Sequence, residues 1–308
     1  MIQVKELTKY FGDRLAVSNL NFELKTGEIV GLLGLNGSGK TTTIRMLSCF
    51  LIPSHGEAFI DGINIFQNPI EVKKKIGYLP ETPPLYEDLT IIEYLQFVSQ
   101  IKGISPDKID SEIDLAINKT NLSEVRNTII DHLSLGFRKR VGIAQALLGN
   151  PSVIIMDEPV SGLDPKQIVE IRNLIKNLSG KHTVLISSHI LSEIFKTCDR
   201  FIFIHEGKLT YEYSFKELEK EMERLSLLEI NLSGGSREAA ESYIMRYAES
   251  GQVTYSGEAS GGYAFTIRTE DESAFKEKII IGIASSGLHI QSIKKQEITL
   301  EQIFMSRV

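Results

Sequence analysis

The chain has 308 residues, 42% hydrophobic and 24% charged, with a net charge of −6. That length predicts two domains with enough chain for a core in each, and the composition excludes collagen-like, disordered and low-complexity chains. The acidic balance argues against a dedicated nucleic-acid binder, which holds phosphates with a basic surplus. Two distant cysteines, Cys49 and Cys198, make no disulfide framework and fit a reducing compartment.

No apolar run approaches the roughly 18 residues of a spanning helix, and the N-terminus lacks the basic start and apolar stretch of a signal peptide. Work at a membrane would therefore need another polypeptide to span it. Residues 2–7 and 15–24 read as strands around the turn Gly12-Asp13-Arg14. Residues 29–33 form a continuous apolar run, the pattern of a strand buried on both faces. A glycine-rich loop and a helix from Thr41 to about Phe50 follow, then short strands at 57–60 and 76–79. Between about 85 and 149 the period becomes helical, with a capping box at Thr90-Ile91-Ile92-Glu93 and helices to about Lys102, over 106–120 and over 135–148. Strands resume at 152–156, 183–186 and 201–204 with helices between, which argues for a largely parallel, layered core. Beyond about Leu218 the order is strand, helix, strand, strand, helix, strand, a β-α-β-β-α-β ferredoxin-like unit. The expected division is a first domain over 1–215 and a small α+β domain over 216–308.

The strongest chemical signal is Gly34-Leu35-Asn36-Gly37-Ser38-Gly39-Lys40-Thr41, followed by Thr42. It lies between a buried strand and a helix, where successive N–H groups and the helix N-terminus cradle phosphates. Lys40 is placed to reach the β- and γ-phosphates, and the Thr41 hydroxyl to ligate Mg²⁺. The second signal is Val153-Ile154-Ile155-Met156-Asp157-Glu158. Alone, an apolar strand ending in two carboxylates is often a solvated terminus. Beside a phosphate loop, Asp157 reads as a Mg²⁺ holder and Glu158 as the general base for an attacking water.

In this order the motifs resemble the nucleotide-binding subunit of an ATP-binding cassette (ABC) transporter, over about residues 1–215. The resemblance implies a P-loop α/β cassette with a layered β core and a helical subdomain. It makes Ser161-Gly162-Leu163-Asp164-Pro165 the D-loop and His189, in Ser187-Ser188-His189, the switch histidine at the γ-phosphate. Leu133-Ser134-Leu135-Gly136-Phe137 stands for the signature, whose Ser134 and Gly136 would cap the nucleotide of the opposite subunit; Leu135 and Phe137 depart from the family pattern. The following Arg138-Lys139-Arg140 reads as a solvated helix face without catalytic part. A literal Leu232-Ser233-Gly234-Gly235 is rejected as signature, because it follows the histidine and reads as a turn after a strand.

Phe11, with Tyr10 as the alternative, sits where the family stacks an aromatic on adenine. Glu81 takes the place of the family's Q-loop glutamine and can still ligate Mg²⁺. Both Glu81 and the ending Thr299-Leu300-Glu301-Gln302-Ile303-Phe304 resemble an export-type subgroup. The implied function is an ATPase motor using ATP and Mg²⁺, paired with a second cassette subunit. It would drive an integral membrane permease from the cytoplasmic face, with no nucleic-acid partner. The competing reading is a soluble ABC ATPase acting on ribosomes or DNA.

Overall fold

A computed structural model describes residues 1–224, 226–248, 253–259, 261–269, 272–283 and 286–296. The export-type ending at 299–304 lies outside the described residues. Two compact units divide at Phe215 and Lys216. The first contains, in chain order, β1 (Ile2–Phe11), β2 (Arg14–Leu24), β3 (Ile29–Leu33), α1 (Lys40–Leu47), β4 (His55–Ile60), β5 (Ile63–Asn64), α2 (Pro69–Lys75) and β6 (Ile76–Leu79). Three helices follow, α3 (Ile91–Ile101), α4 (Pro106–Lys119) and α5 (Leu135–Leu147). The unit then continues through β7 (Val153–Asp157), α6 (Pro165–Lys176), β8 (Thr183–Ser188), α7 (Leu191–Phe195), β9 (Arg200–His205) and β10 (Lys208–Ser214).

Two sheets layer the first unit. An antiparallel sheet has the order β2-β1-β4-β5, and a six-stranded sheet has the order β10-β9-β3-β8-β7-β6, parallel except for the β9–β10 hairpin. Every residue of β3 and β7 is buried, as continuous apolar runs require of central strands covered on both faces. Leu7, Leu20, Leu32, Ile44, Leu47 and Ile155 belong to the core that joins the antiparallel sheet, α1 and the parallel sheet. Packing α1 between the two sheets fixes its N-terminus at the carboxyl end of β3. The helix stops at Leu47, earlier than its apolar pattern suggested. There Ser48 Oγ turns back to the Ile44 carbonyl at 2.8 Å, and Cys49 adopts a φ of 60°.

Helices α3 to α5 enclose their own core around Ile91, Leu95, Ile117, Val141 and Ala144. The capping box at the start of α3 is complete. Thr90 Oγ1 accepts from Glu93 N at 3.4 Å, and Glu93 Oε2 accepts from Thr90 N at 2.8 Å. The sequence predicts no element at β5, α2 or β10, all of seven residues or fewer, whereas α7 is the expected helix between the strands at 183–186 and 201–204.

After α8 (Phe215–Arg224), the second unit runs β11 (Ser226–Ser233), α9 (Arg237–Ile244), β12 (Val253–Ala259), β13 (Gly262–Thr269), α10 (Glu272–Ile283) and β14 (His289–Gln296). Its antiparallel sheet has the order β12-β13-β11-β14, the arrangement of a split β-α-β ferredoxin-like fold. Leu228, Ile230, Phe265, Ile267, Tyr243 and Ile279 form its core. The rejected Leu232-Ser233-Gly234-Gly235 string ends β11 in a turn, its glycines at φ 83° and 66°. Among the described residues, no helix is long and apolar enough to cross a membrane.

Candidate functional site

In an open parallel sheet, ligands bind beyond the carboxyl ends of the strands. Here β3, β8 and β7 are neighbours in that order, so the residues following them converge. Gly34 follows β3, His189 follows β8, Asp157 ends β7 and Glu158 follows it.

The loop after β3 is shaped by sterics. Gly39, at φ 108°, is the N-cap of α1, and a Cβ there would lie 2.9 Å from the Ala16 carbonyl oxygen. A Cβ on Gly34 would lie 2.3 Å from the Ile204 carbonyl oxygen. Lys40 is buried, and its Nζ donates to the Gly34 carbonyl at 2.7 Å and the Leu35 carbonyl at 3.1 Å. Burial pushes its ammonium below the ordinary lysine value, while the carboxylates of Glu158, Asp157 and Glu81 pull it back up. Ser38 Oγ is buried without a hydrogen-bond partner among the described residues. A buried hydroxyl left unpaired beside a helix N-terminus suits a loop that wraps an anion.

The acidic side is built by pairing β7 with β8, which sets Asp157 opposite Ser187. Ser187 Oγ donates to Asp157 Oδ1 at 2.5 Å and accepts from the Glu158 N–H at 3.0 Å. Glu158 is buried and takes a left-handed φ of 48°, a conformation that costs a non-glycine residue on the order of 1 kcal/mol. Its Oε2 lies 2.8 Å from His189 Nδ1. Thr41 Oγ1 lies 3.5 Å from Asp157 Oδ1. That pair of hard oxygens suits a small divalent cation that takes its remaining ligands from water and substrate phosphates. No group of three or more His, Cys, Asp or Glu residues that could hold a metal occurs among the described residues.

Lys40, Thr41, Glu158 and His189 line a cavity of about 740 Å³ with Phe11, Asn36, Gly37, Gly39, Thr42 and Glu81, together with Arg14, Leu15, Ala16 and Glu206, whereas Gly34, Leu35, Ser38 and Asp157 lie outside that lining. Phe11 is half-exposed at its mouth, with Lys9 Nζ 5.4 Å from the ring centroid. Tyr10, the other aromatic candidate, instead meets His55 edge-on at 6.5 Å between centroids.

A family model described as ABC transporter matches residues 17–161. The bacitracin transport ATP-binding protein BcrA of Enterococcus faecalis is 34% identical over 307 residues, covering 99% of this chain and 95% of that protein. BcrA of Bacillus licheniformis is 42% identical over 222 residues, 71% of this chain and 72% of that one. The chain belongs to the ATP-binding subunits of ABC transporters. A cassette solved as a dimer in a post-hydrolysis state with ADP and Pi is 28% identical, with a TM-score of 0.64 over 70% of this chain and 99% of its own. The subunit is thus an ATP-binding ATPase that powers a transporter. The Enterococcus alignment also extends through the second unit, so that relative shares its length as well as its cassette.

Ser134, Gly136 and Asp164, expected as signature and D-loop residues of this ABC subunit, do not line that cavity. Ser134 is the N-cap of α5 and accepts from Phe137 N at 3.5 Å. Gly136 leaves no room for a side chain, because a Cβ would lie 2.6 Å from the Gln167 side chain. Asp164 caps α6 by accepting from Gln167 N at 2.9 Å. The segments expected as signature and D-loop thus meet at Gln167 within one chain.

The basic run after the signature corrects the reading of a solvated face. Lys139 is 2% exposed and Arg140 9% exposed. Arg138 pairs with Glu87 and Asp131 at 2.7 and 3.1 Å, and Arg140 pairs with Glu170. Lys139 Nζ donates to the carbonyls of Glu81 and Glu158. The sequence reading missed Lys139, Arg14 and Glu206 as neighbours of the site. A signal existed for Lys139: it is spaced three and four residues from Gly136, Gly142 and Ile143, all on the buried side of α5.

Proposed function

We propose that this subunit is the motor of an exporter, working as a head-to-tail pair of cassettes with two ATP molecules held at the shared face. The convergence of Lys40, Thr41, Glu158 and His189 on one cavity, with Asp157 behind Thr41, carries the reading. Lys40 and the loop from Gly34 to Thr42 bind the phosphates. Thr41 and Asp157, with Glu81 at the same cavity, would hold Mg²⁺, which would supply charge neutralisation to the phosphates. Glu158 accepts the proton of the attacking water, and His189, hydrogen-bonded to that carboxylate, orients it towards the γ-phosphate. Hydrolysis is then phosphoryl transfer to water, achieved by positioning and by charge stabilisation.

Ser134 and Gly136 point this subunit's signature at the partner's nucleotide, with Asp164 at the same face. Each ATP contacts both subunits and so favours the closed pair. Closure is passed to an integral membrane permease through the helical subdomain and the Glu81 loop. A second cavity of about 610 Å³ supports that route. It is lined by Phe50, Tyr78, Thr82, Pro83, Pro84, Tyr94 and Gln145, and the chain runs directly from Glu81 at the nucleotide cavity into it. The role of BcrA in bacitracin transport supports a transporter motor with a bacitracin-like cargo.

The test is to isolate the subunit under mild detergent from its own membranes and identify what accompanies it. A stoichiometric integral membrane chain that stimulates its ATPase activity is the expected result. Ribosomes or DNA in its place would overturn the reading. Phe11→Ala is expected to raise the KM for ATP about fivefold to a hundredfold, the loss of one base–aromatic stack of about 1–3 kcal/mol, with kcat nearly unchanged. Steady-state phosphate release across an ATP titration measures both.

A further inference from the structure

Lys139 is the most deeply buried cation of the basic run, yet it makes no ion pair among the described residues. Its Nζ instead donates to two backbone carbonyls far apart in sequence, that of Glu81 and, at 3.1 Å, that of Glu158. Burying an ammonium without a carboxylate in contact costs stability, and an apolar side chain of similar length would avoid that cost. The arrangement therefore calls for a purpose beyond packing.

Glu158 shows what that purpose is. Its backbone sits in the left-handed region and is held from both sides, its N–H by Ser187 Oγ and the Ser187 carbonyl, and its carbonyl by Lys139 Nζ, the one side-chain donor there among the described residues, beside the Ser161 N–H. A non-glycine residue stays in that region only where its surroundings over-determine it. The direction of the Glu158 carboxylate towards His189 depends on that backbone conformation. The same ammonium holds the Glu81 carbonyl, at the start of the loop that passes from the nucleotide cavity to the second cavity. Lys139 also rides on α5, the helix whose first turn carries Ser134 and Gly136.

We infer that Lys139 is a positioning residue for hydrolysis: its one ammonium fixes the backbone of Glu158 and ties it to the Glu81 loop and the signature helix. A displacement of that loop or helix is then felt at the general base without any change in nucleotide contacts. The inference rests on the reading of Glu158 as the base.

The experiment compares wild type, Glu158→Gln, Lys139→Met and Lys139→Gln by steady-state phosphate release and by titration with a fluorescent ATP analogue. Lys139→Met keeps the length and removes both donors. Its kcat is expected to fall about tenfold to a hundredfold, as misplacement of a reacting group does. Its KM and nucleotide affinity should stay within about threefold of wild type, since Lys139 does not line the nucleotide cavity. Lys139→Gln retains a shorter donor and should lose less. If Lys139→Met does not fold, Lys139→Gln carries the test alone, with at least about a threefold loss of kcat at unchanged KM. Wild-type kcat in a folded Lys139 variant, or a loss of nucleotide affinity that accounts for the loss of rate, overturns the inference while leaving Glu158 in place. Normal turnover by Glu158→Gln overturns both.

Discussion

Glu158→Gln is expected to stop ATP turnover while ATP stays bound and the cassette pair stays closed. The amide matches the carboxylate in shape, so the buried pocket beside His189 and Ser187 should survive the exchange. What the amide lacks is a basic oxygen to take the proton of the attacking water. Loss of a general base slows hydrolysis by about a hundredfold to ten-thousandfold. Removing one negative charge from a cavity that Glu81 also lines and whose field includes Asp157 should, if anything, strengthen binding of the ATP anion. The closed pair thus accumulates, because the step that reopens it no longer occurs. Phosphate release measures the first effect, and light scattering with and without ATP measures the second as a shift from monomer to dimer. Turnover within about tenfold of wild type would remove Glu158 from the role of base. Loss of hydrolysis without a dimer would leave the chemistry but remove the sandwich.

The legible parts of the site were those in which chemistry and geometry share one short segment. Gly34 to Thr41 is such a segment: the glycines, the lysine and the helix start occur in one uninterrupted run, and backbone sterics at Gly34 and Gly39 give it one shape. Asp157 and Glu158 were legible for the same reason, as the polar end of a buried strand. The ferredoxin-like unit was readable because its elements follow one another with clear changes of period. Contacts set by strand order were not readable. His189 meets Glu158 because β8 lies between β3 and β7, and nothing local in either sequence states that adjacency. Arg14 and Glu206 reach the cavity from two tight turns, and turn residues of that kind are usually only surface. Lys139 was masked by its neighbours, since three basic residues in a row suggest water and outweigh its helical spacing from Gly136, Gly142 and Ile143 on the buried side of α5.

Lys40→Ala is expected to abolish hydrolysis and to weaken ATP binding, and the two losses have separate causes. Lys40 is the cation at the centre of the loop, surrounded by the field of Glu158, Asp157 and Glu81. An ATP phosphate entering a cavity with three carboxylates needs that positive charge more than it would in water, because screening by solvent is weaker there. A charge-assisted hydrogen bond contributes about 1.5–3 kcal/mol, so affinity should fall about tenfold to more than a hundredfold. The rate should fall further, since negative charge builds on the leaving oxygen during phosphoryl transfer and Lys40 is placed to meet it. Saturating ATP should therefore not restore kcat. The fold should survive, because the variant gives up a buried ammonium whose desolvation opposes folding and in return leaves the Gly34 and Leu35 carbonyls without one donor. Lys40→Arg is a poor replacement despite its charge, since a planar guanidinium does not fit where a compact ammonium caps two adjacent carbonyls. Fluorescent-nucleotide titration, phosphate release at saturating ATP and a melting curve separate the three effects. Near-normal kcat in Lys40→Ala would sink the phosphate-loop assignment. An unfolded variant would instead show that the two carbonyl bonds, and not the nucleotide, are what Lys40 chiefly serves.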